Sequence, residues 1–143
     1  MLLLGPEMAE TFQLDIVTPD RLLVREAASE VTIPGRSGYL GVLPGHAPLI
    51  SELAVGQISY RNGAETHFLA VAWGFAEVLP DRVTILAETA ERAEDINVKR
   101  AEEAKQRAEE RLQSGKTETD YGRAQSSLQR AETRLDVAEK SKS

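Results

Sequence analysis

The side chains with most chemistry to offer are arginines. Arg100, Arg107 and Arg111 recur at helical spacing and share one side of a first helix, and Arg123, Arg130 and Arg134 do the same on a second. Guanidinium forks grouped in this way can grip an anion, either a nucleotide phosphate or the acidic side chains of a partner; a solvated helix face gives the same pattern. The two histidines, His46 and His67, have no carboxylate pair at ligand spacing, so neither a metal site nor an acid–base role is expected of them. Ser114-Gly115-Lys116-Thr117 imitates the end of a phosphate-binding loop. The full motif needs a glycine where this chain has Glu110, and no strand precedes it. The carboxylates of the rear half stand at i, i+4 spacing to bases, as in Asp95 with Lys99 and Glu103 with Arg107, which suits solvated ion pairs. No catalytic constellation emerges.

A different kind of candidate is the run from Gly35 to Leu49. Gly38, Gly41, Pro44, Gly45 and Pro48 place five special-backbone residues within eleven positions. Such a run is a tight turn region at least, and loops exposed on a rigid scaffold often carry binding.

The elements that must position these groups follow two grammars. All six prolines lie at or before Pro80 and eight of ten glycines before residue 75, whereas every lysine lies at Lys99 or later. In the front half the apolar period is two. Phe12, Leu14 and Ile16 alternate with Gln13 and Asp15, and similar strands are expected at 22–25, 30–33, 39–43, 57–61, 65–71, 75–79 and 82–87. Asn62-Gly63 is a strong hairpin signal, and Pro80-Asp81 marks a second tight reversal. Short strands with Gly/Pro turns predict an antiparallel β-sandwich or flattened barrel.

In the rear half Tyr121, Ala124, Leu128, Ala131, Leu135 and Ala138 follow at spacings of three and four, and Asn97, Ala101, Ala104, Ala108 and Leu112 line a second stripe. Ser114-Gly115 interrupts them, and Thr117 with Asp120 resembles a capping box. The fold class is therefore β + α, a sandwich followed by an antiparallel two-helix hairpin near residues 95–113 and 118–140. Ala, Glu, Arg, Lys and Gln give high helix propensity. A seam of methyl groups and a few leucines is weak glue, at about 0.8 kcal/mol per buried methylene. A helix pair stable in itself yet loosely committed to a partner surface is the profile of a movable element; a static brace is the plainer alternative.

The chain has 143 residues, 23 acids against 17 bases for a net charge of -6, and no cysteine. That balance argues against a nucleic-acid partner. The absence of thiols excludes disulfides and is compatible with a reducing compartment. The apolar start Met1–Leu4 is far shorter than the about 20 residues needed to span a bilayer and lacks a basic leader, so membrane association is expected only indirectly. Met8 is a candidate start, with the residues before it an extension.

The pattern Gly-Tyr-Leu-Gly-Val-Leu-Pro-Gly-His-Ala-Pro-Leu at residues 38–49 resembles the signature of the F-type ATP synthase epsilon subunit. Phe12–Pro19 resembles that family's opening strand, Trp73–Val78 its Gly-Phe-x-Glu-Val strand, and Val83–Glu91 the segment leading into its helices; the likeness spans about residues 9–140. The resemblance implies a non-catalytic rotor subunit of a bacterial, proton-translocating F1Fo ATP synthase, one copy per complex. It would lie peripherally at the cytoplasmic face of the inner membrane and need no cofactor. Domains are expected at 1–8 (a disordered extension), 9–91 (a sandwich docking on the gamma subunit and c-ring) and 92–143 (a regulatory hairpin).

The resemblance further implies partner contacts at Ser37, Gly38, Tyr39, Leu40, Pro44, Gly45 and His46. Some relatives carry an acid where this chain has Tyr39, so a stacking or apolar contact replaces a salt bridge there. The hairpin would switch between a form compact on the sandwich and one extended into the catalytic hexamer that blocks hydrolysis. In the extended form Arg123, Arg130 and Arg134, with Lys140 and Lys142, would face acidic surfaces of the beta subunits. Some members bind ATP through an Ile/Leu-Asp-x-x-Arg-Ala motif, matched here by Ile96, Asn97, Arg100 and Ala101, with Arg107, Arg130, Arg134 and Glu91 at further contact positions. Asn97 replaces the charged acceptor with an amide, so regulatory ATP is expected to bind weakly or not at all. A competing reading is a stand-alone nucleotide sensor whose arginine hairpin is the whole function.

Overall fold

The computed structural model describes residues 10–114 and 118–141, the side chains of residues 118 and 119 excepted. The expected extension before Met8 and the Thr117 half of the capping box lie outside the described residues, as do three of the four residues of the phosphate-loop imitation.

Eight strands come first: β1 Phe12–Val17, β2 Leu22–Ala28, β3 Glu30–Gly35, β4 Gly38–Val42, β5 Leu49–Leu53, β6 Gly56–Asn62, β7 Glu65–Leu79 and β8 Arg82–Arg92. A 3-10 turn, Ala93–Asp95, leads to helices α1 (Val98–Ser114) and α2 (Glu118–Lys140). The strand order is β2-β1-β8-β7-β5-β3-β4, with β6 joining β3 to β7. The sequence pattern predicted antiparallel pairing, and it holds among the described strands except between β1 and β8, which run parallel with Val17 opposite Leu86. Parallel neighbours need a long crossover, and here the whole intervening sheet supplies it.

Two departures from the sequence reading centre on β7 and β5. The predicted strands 65–71 and 75–79 are one 15-residue strand. Its first half pairs with β6 and its second half with β5, while β8 runs beside both. At the junction Trp73 has φ 56 and Gly74 φ 121. Inward-facing residues change there from Leu69 and Val71 to Ala76 and Val78, so one strand serves both layers of the sandwich. A Cβ on Gly74 would sit 1.9 Å from the Leu86 carbonyl oxygen, which is why this corner takes glycine. The gap left between the two expected strands is a bend within one strand. The unpredicted strand β5 follows Pro48 and buries only Leu53 fully, so its alternation is too weak to stand out.

The β6–β7 reversal pairs Asn62 with Glu65, placing Gly63 and Ala64 in the loop, one position beyond the expected pair. Gly63 alone has positive φ, at 64°, as a II′ loop requires. The sandwich interior is filled by Leu14, Ile16, Ile33, Ile58, Leu69 and Ile85 among others, all at most 1% exposed. Between β2 and β6 side chains replace a backbone ladder. The Tyr60 hydroxyl and Asn62 Nδ2 (2.8 Å) both donate to the Glu26 carboxylate. The Tyr60 hydroxyl holds the Glu26 carboxyl below its usual range against the opposing effect of burial, and burial pushes the Tyr60 phenol well up. Asp15, the one buried charged residue of the described core, is likewise held low, chiefly by Arg25 at 3.2 Å.

The hairpin begins where Asn97 Oδ1 accepts from the Arg100 backbone N–H at 3.0 Å, an N-cap that fixes the first turn of α1. Ala101 and Ala108 of α1 meet Ala124 and Ala131 of α2 as a buried methyl seam, with Leu128 and Leu135 half-buried beside it; Tyr121 is 50% exposed. A second buried face on α2 was not anticipated. Val137 and Ala138 pack on Ala70, Ala93 and Ile96, with Phe68 and Val98 at the margin, and this foot seats the hairpin on the sandwich.

Candidate functional site

The foot leaves a cleft of about 600 Å³ between sandwich and hairpin. Its sandwich wall is the β1–β2 turn and the last residues of β8, including Glu88 and Glu91; its other wall is the facing sides of α1 and α2. The turn is closed by Thr18 and Arg21, each donating its backbone N–H to the other's carbonyl at 2.9 and 3.3 Å. Five arginines line the space: Arg21 from the turn, Arg107 and Arg111 from α1, and Arg130 and Arg134 from α2. Helical spacing explains the two pairs, because residues four apart stand above one another on one face.

Each sequence-predicted arginine trio divides. Arg107 and Arg111 reach the cleft while Arg100, two turns earlier, is exposed elsewhere; Arg130 and Arg134 reach it while Arg123 does not. Of the residues matched to a nucleotide motif, Glu91, Arg107, Arg130 and Arg134 line the cleft. Ile96 is buried in the foot, Asn97 is engaged as the α1 cap, and Ala101 is buried in the seam. The expected pairs Asp95–Lys99 and Glu103–Arg107 are not among the ion pairs of the described residues; Asp95 lies in the 3-10 turn before α1. Arg21 escaped the sequence reading because nothing local marks a turn residue as facing a helix far along the chain.

Two of the arginines are already engaged. Arg134 donates to both Glu91 carboxylate oxygens, at 2.6 and 3.1 Å, in the bidentate geometry that makes arginine pairs specific. Arg130 lies 4.9 Å from the centre of the Trp73 ring. Near the end of α2, Lys140 lies 4.8 Å from the Phe68 ring and 3.2 Å from Gln57 Oε1. The cleft can hold an anion on its remaining donors, Arg21, Arg107 and Arg111, while Arg130 and Arg134 fasten the hairpin.

The glycine-rich run forms the β3–β4 turn, β4 and the loop after it. Ser37 and Gly38 are exposed in the turn, and Leu40 packs on the core. Tyr39 is 62% exposed, but its hydroxyl accepts the Gln57 backbone N–H at 3.2 Å, so the ring leans back over β6. The loop of Pro44, Gly45 and His46 is pinned to the β7–β8 turn by Gly45 N–H donating to the Pro80 carbonyl at 2.8 Å.

A second surface was missed altogether. Glu52, Phe75, Leu86, Val17 and Leu22 are successive cross-strand partners over five strands and share one outward face. Phe75 and Leu86 are more than half exposed, Leu22 is 44% exposed, and Ile50 beside them is 71% exposed. Neighbouring strands are about 4.8 Å apart, so the apolar part of the row spans roughly 15 Å. The available sequence signal was an apolar residue at the outward position of several strands at once.

Among the described residues no three His, Asp or Glu side chains stand at metal-ligating spacing, and no helix is long and apolar enough to cross a membrane.

Comparison with known proteins agrees with this layout. The family described as ATP synthase, Delta/Epsilon chain, beta-sandwich domain matches residues 11–93, and the corresponding long alpha-helix domain matches residues 94–139. The ATP synthase epsilon chain of Koribacter versatilis is 65% identical over 100 residues, 70% of each chain. That of Solibacter usitatus is 49% identical over 100 residues, 70% of this chain and 75% of its own. Among solved structures, a chain of the Euglena gracilis mitochondrial ATP synthase OSCP/F1/c-ring assembly superposes with TM-score 0.78 at 26% identity, covering 90% of this chain and 81% of that one. A chain of the Tetrahymena thermophila mitochondrial ATP synthase central stalk/c-ring shares the fold at TM-score 0.58 and 11% identity, covering 92% and 96%.

Proposed function

Since the chain belongs to the ATP synthase delta/epsilon family, as the non-catalytic epsilon subunit of the F-type central stalk, we propose that its sandwich couples it to the rotor while its hairpin restrains ATP hydrolysis. The observation that carries this reading is an asymmetry of cohesion. Among the described residues the sandwich core is one cluster of eighteen buried side chains, whereas the hairpin sits on a foot of five, three of them alanines. Area removed from water sets hydrophobic stabilisation, so the hairpin can leave at a cost the sandwich would not survive.

In this reading the sandwich docks on the gamma subunit and the c-ring through its Ser37–His46 region and the uncovered apolar row. The subunit lies at the cytoplasmic face of the bacterial inner membrane, held there through its partners. Arg130 and Arg134, released from Trp73 and Glu91, join Arg123 in facing acidic surfaces of the beta subunits when the hairpin extends. Intramolecular and intermolecular partners then compete for the same guanidinium groups, which is what a two-state element requires. The cleft gives ATP a low-affinity regulatory site at most, because Arg134 and Glu91 already satisfy each other and Asn97 is a neutral cap; calorimetric titration giving micromolar or tighter affinity would overturn that part.

The deciding experiment deletes residues 94–143 and measures hydrolysis by the assembled enzyme. Faster hydrolysis with the stalk still assembled is expected. Equal inhibition with and without the hairpin rejects the restraining role.

A further inference from the structure

Trp73 combines two features found together nowhere else among the described residues. It is the one non-glycine with a left-handed backbone, φ 56, and its ring meets a cation from the hairpin. A bulky residue at such a φ is costly, and glycine would occupy the position without strain. A Cβ on its neighbour Gly74 would sit 1.9 Å from the Leu86 carbonyl oxygen, so the constraint that fixes the bend comes from β8 within the sandwich and not from the hairpin. The strain at Trp73 is therefore common to docked and undocked forms and cancels from the docking equilibrium. What differs between the two forms is the ring's environment, because only in the docked form does Arg130 lie against it.

We propose that Trp73 is a latch on the sandwich that holds Arg130, and with it α2, in the compact state. The inference rests on the hairpin mobility proposed above and names the contact that sets it. Geometry supports it from both sides. Arg130, Arg134 and Val137 recur at helical spacing on the face of α2 turned to the sandwich, and meet in turn the Trp73 ring, the Glu91 carboxylate and the apolar foot. Arg130 also donates to Ser127 Oγ at 3.2 Å, one turn back, which steadies the guanidinium. The latch stands at the β7 bend, where the strand passes from one layer to the other.

Because Trp73 is the chain's only tryptophan, its fluorescence reports the latch directly. The test uses the full chain with Trp73→Gly, Arg130→Ala, Arg130→Lys and the Trp73→Gly/Arg130→Ala double variant. Readouts are amide hydrogen exchange and, where Trp73 is kept, its emission. A cation–π contact of this partly exposed kind corresponds to roughly a two- to fivefold change in an equilibrium. Exchange of α1 and α2 amides is expected to accelerate about that much in each single alanine or glycine variant, and no further in the double variant. Exchange in β1 and β8 should be unchanged in the Arg130 variants, whereas Trp73→Gly also relieves backbone strain in β7 and its hairpin exchange is compared with that of its own strands; Arg130→Lys should fall between wild type and Arg130→Ala. Arg130→Ala should also alter the Trp73 emission. If the wild-type hairpin opens faster than the strands but none of these variants changes its rate, the latch is refuted and hairpin mobility stands. If hairpin and strands exchange equally slowly in every variant, mobility falls and the latch with it.

Discussion

Val83 and Val137 are both 0% exposed, yet their truncation to alanine should have different consequences. Val83 belongs to the sandwich core, whereas Val137 belongs to the foot under the hairpin. Each Val→Ala change removes two methyl groups, worth about 1.6 kcal/mol in transfer and about 2 kcal/mol once an unfilled cavity is included. Three of the foot's other members are Ala70, Ala93 and Ala138, side chains too short to collapse into the gap, which leaves Ile96 and the marginal Phe68 and Val98 to fill it only in part, so most of the cavity contribution should be retained. A loss of about 2 kcal/mol multiplies the undocked population roughly 30-fold. For Val137→Ala the change should appear as faster exchange throughout α2 and stronger inhibition of hydrolysis in the assembled enzyme, with the denaturant midpoint of the strands unmoved. For Val83→Ala the strand midpoint should fall and hydrolysis should be unaffected wherever the subunit still folds. If Val137→Ala lowers the strand midpoint as far as Val83→Ala, sandwich and hairpin unfold as one unit and the two-state argument fails.

Three further outcomes follow from the geometry. Glu91→Gln should weaken hairpin docking by about 0.5–1 kcal/mol, a modest figure because the pair is partly open to solvent, and 1 M salt should reduce wild-type docking while leaving the variant nearly insensitive; hairpin exchange at two salt concentrations checks this. Gly74→Ala, with its Cβ driven against the Leu86 carbonyl and φ at 121°, should cost more than about 3 kcal/mol or prevent folding, read from thermal melting. The Glu26 carboxyl is held below its ordinary 4.5, so its contribution is full above that pH and is lost as pH falls through the lowered value; Tyr60, raised from 10.0, contributes fully below that pH and progressively less above it. Denaturant midpoints should therefore decline at both extremes, and Glu26→Gln should flatten part of the acid decline, the remainder belonging to Asp15.

The loop after β4 shows how far sequence reached toward the functional surfaces. Gly38, Gly45 and Pro44 announced a special backbone, and Gly38 and Gly45 do adopt positive φ. Their spacing could not reveal that Gly45 is fastened to Pro80, nor that the Tyr39 hydroxyl is taken by β6. The arginines behaved alike: helical period located both groups, but only the docked hairpin decided which two of each three face the cleft and that Arg21 joins them.

Sequence by itself determined the alternation of Phe12, Leu14 and Ile16, the three-and-four spacing of the alanine seam, and the change of grammar between the halves. These are legible because a strand's period and a helix's period involve neighbours a few residues apart. Tertiary structure alone decided the parallel pairing of Val17 with Leu86, the apolar row it completes, the burial of Val137 and the union of Glu91 with Arg134. Each joins residues dozens of positions apart, and such contacts depend on the register and seating of whole elements, which no local period encodes.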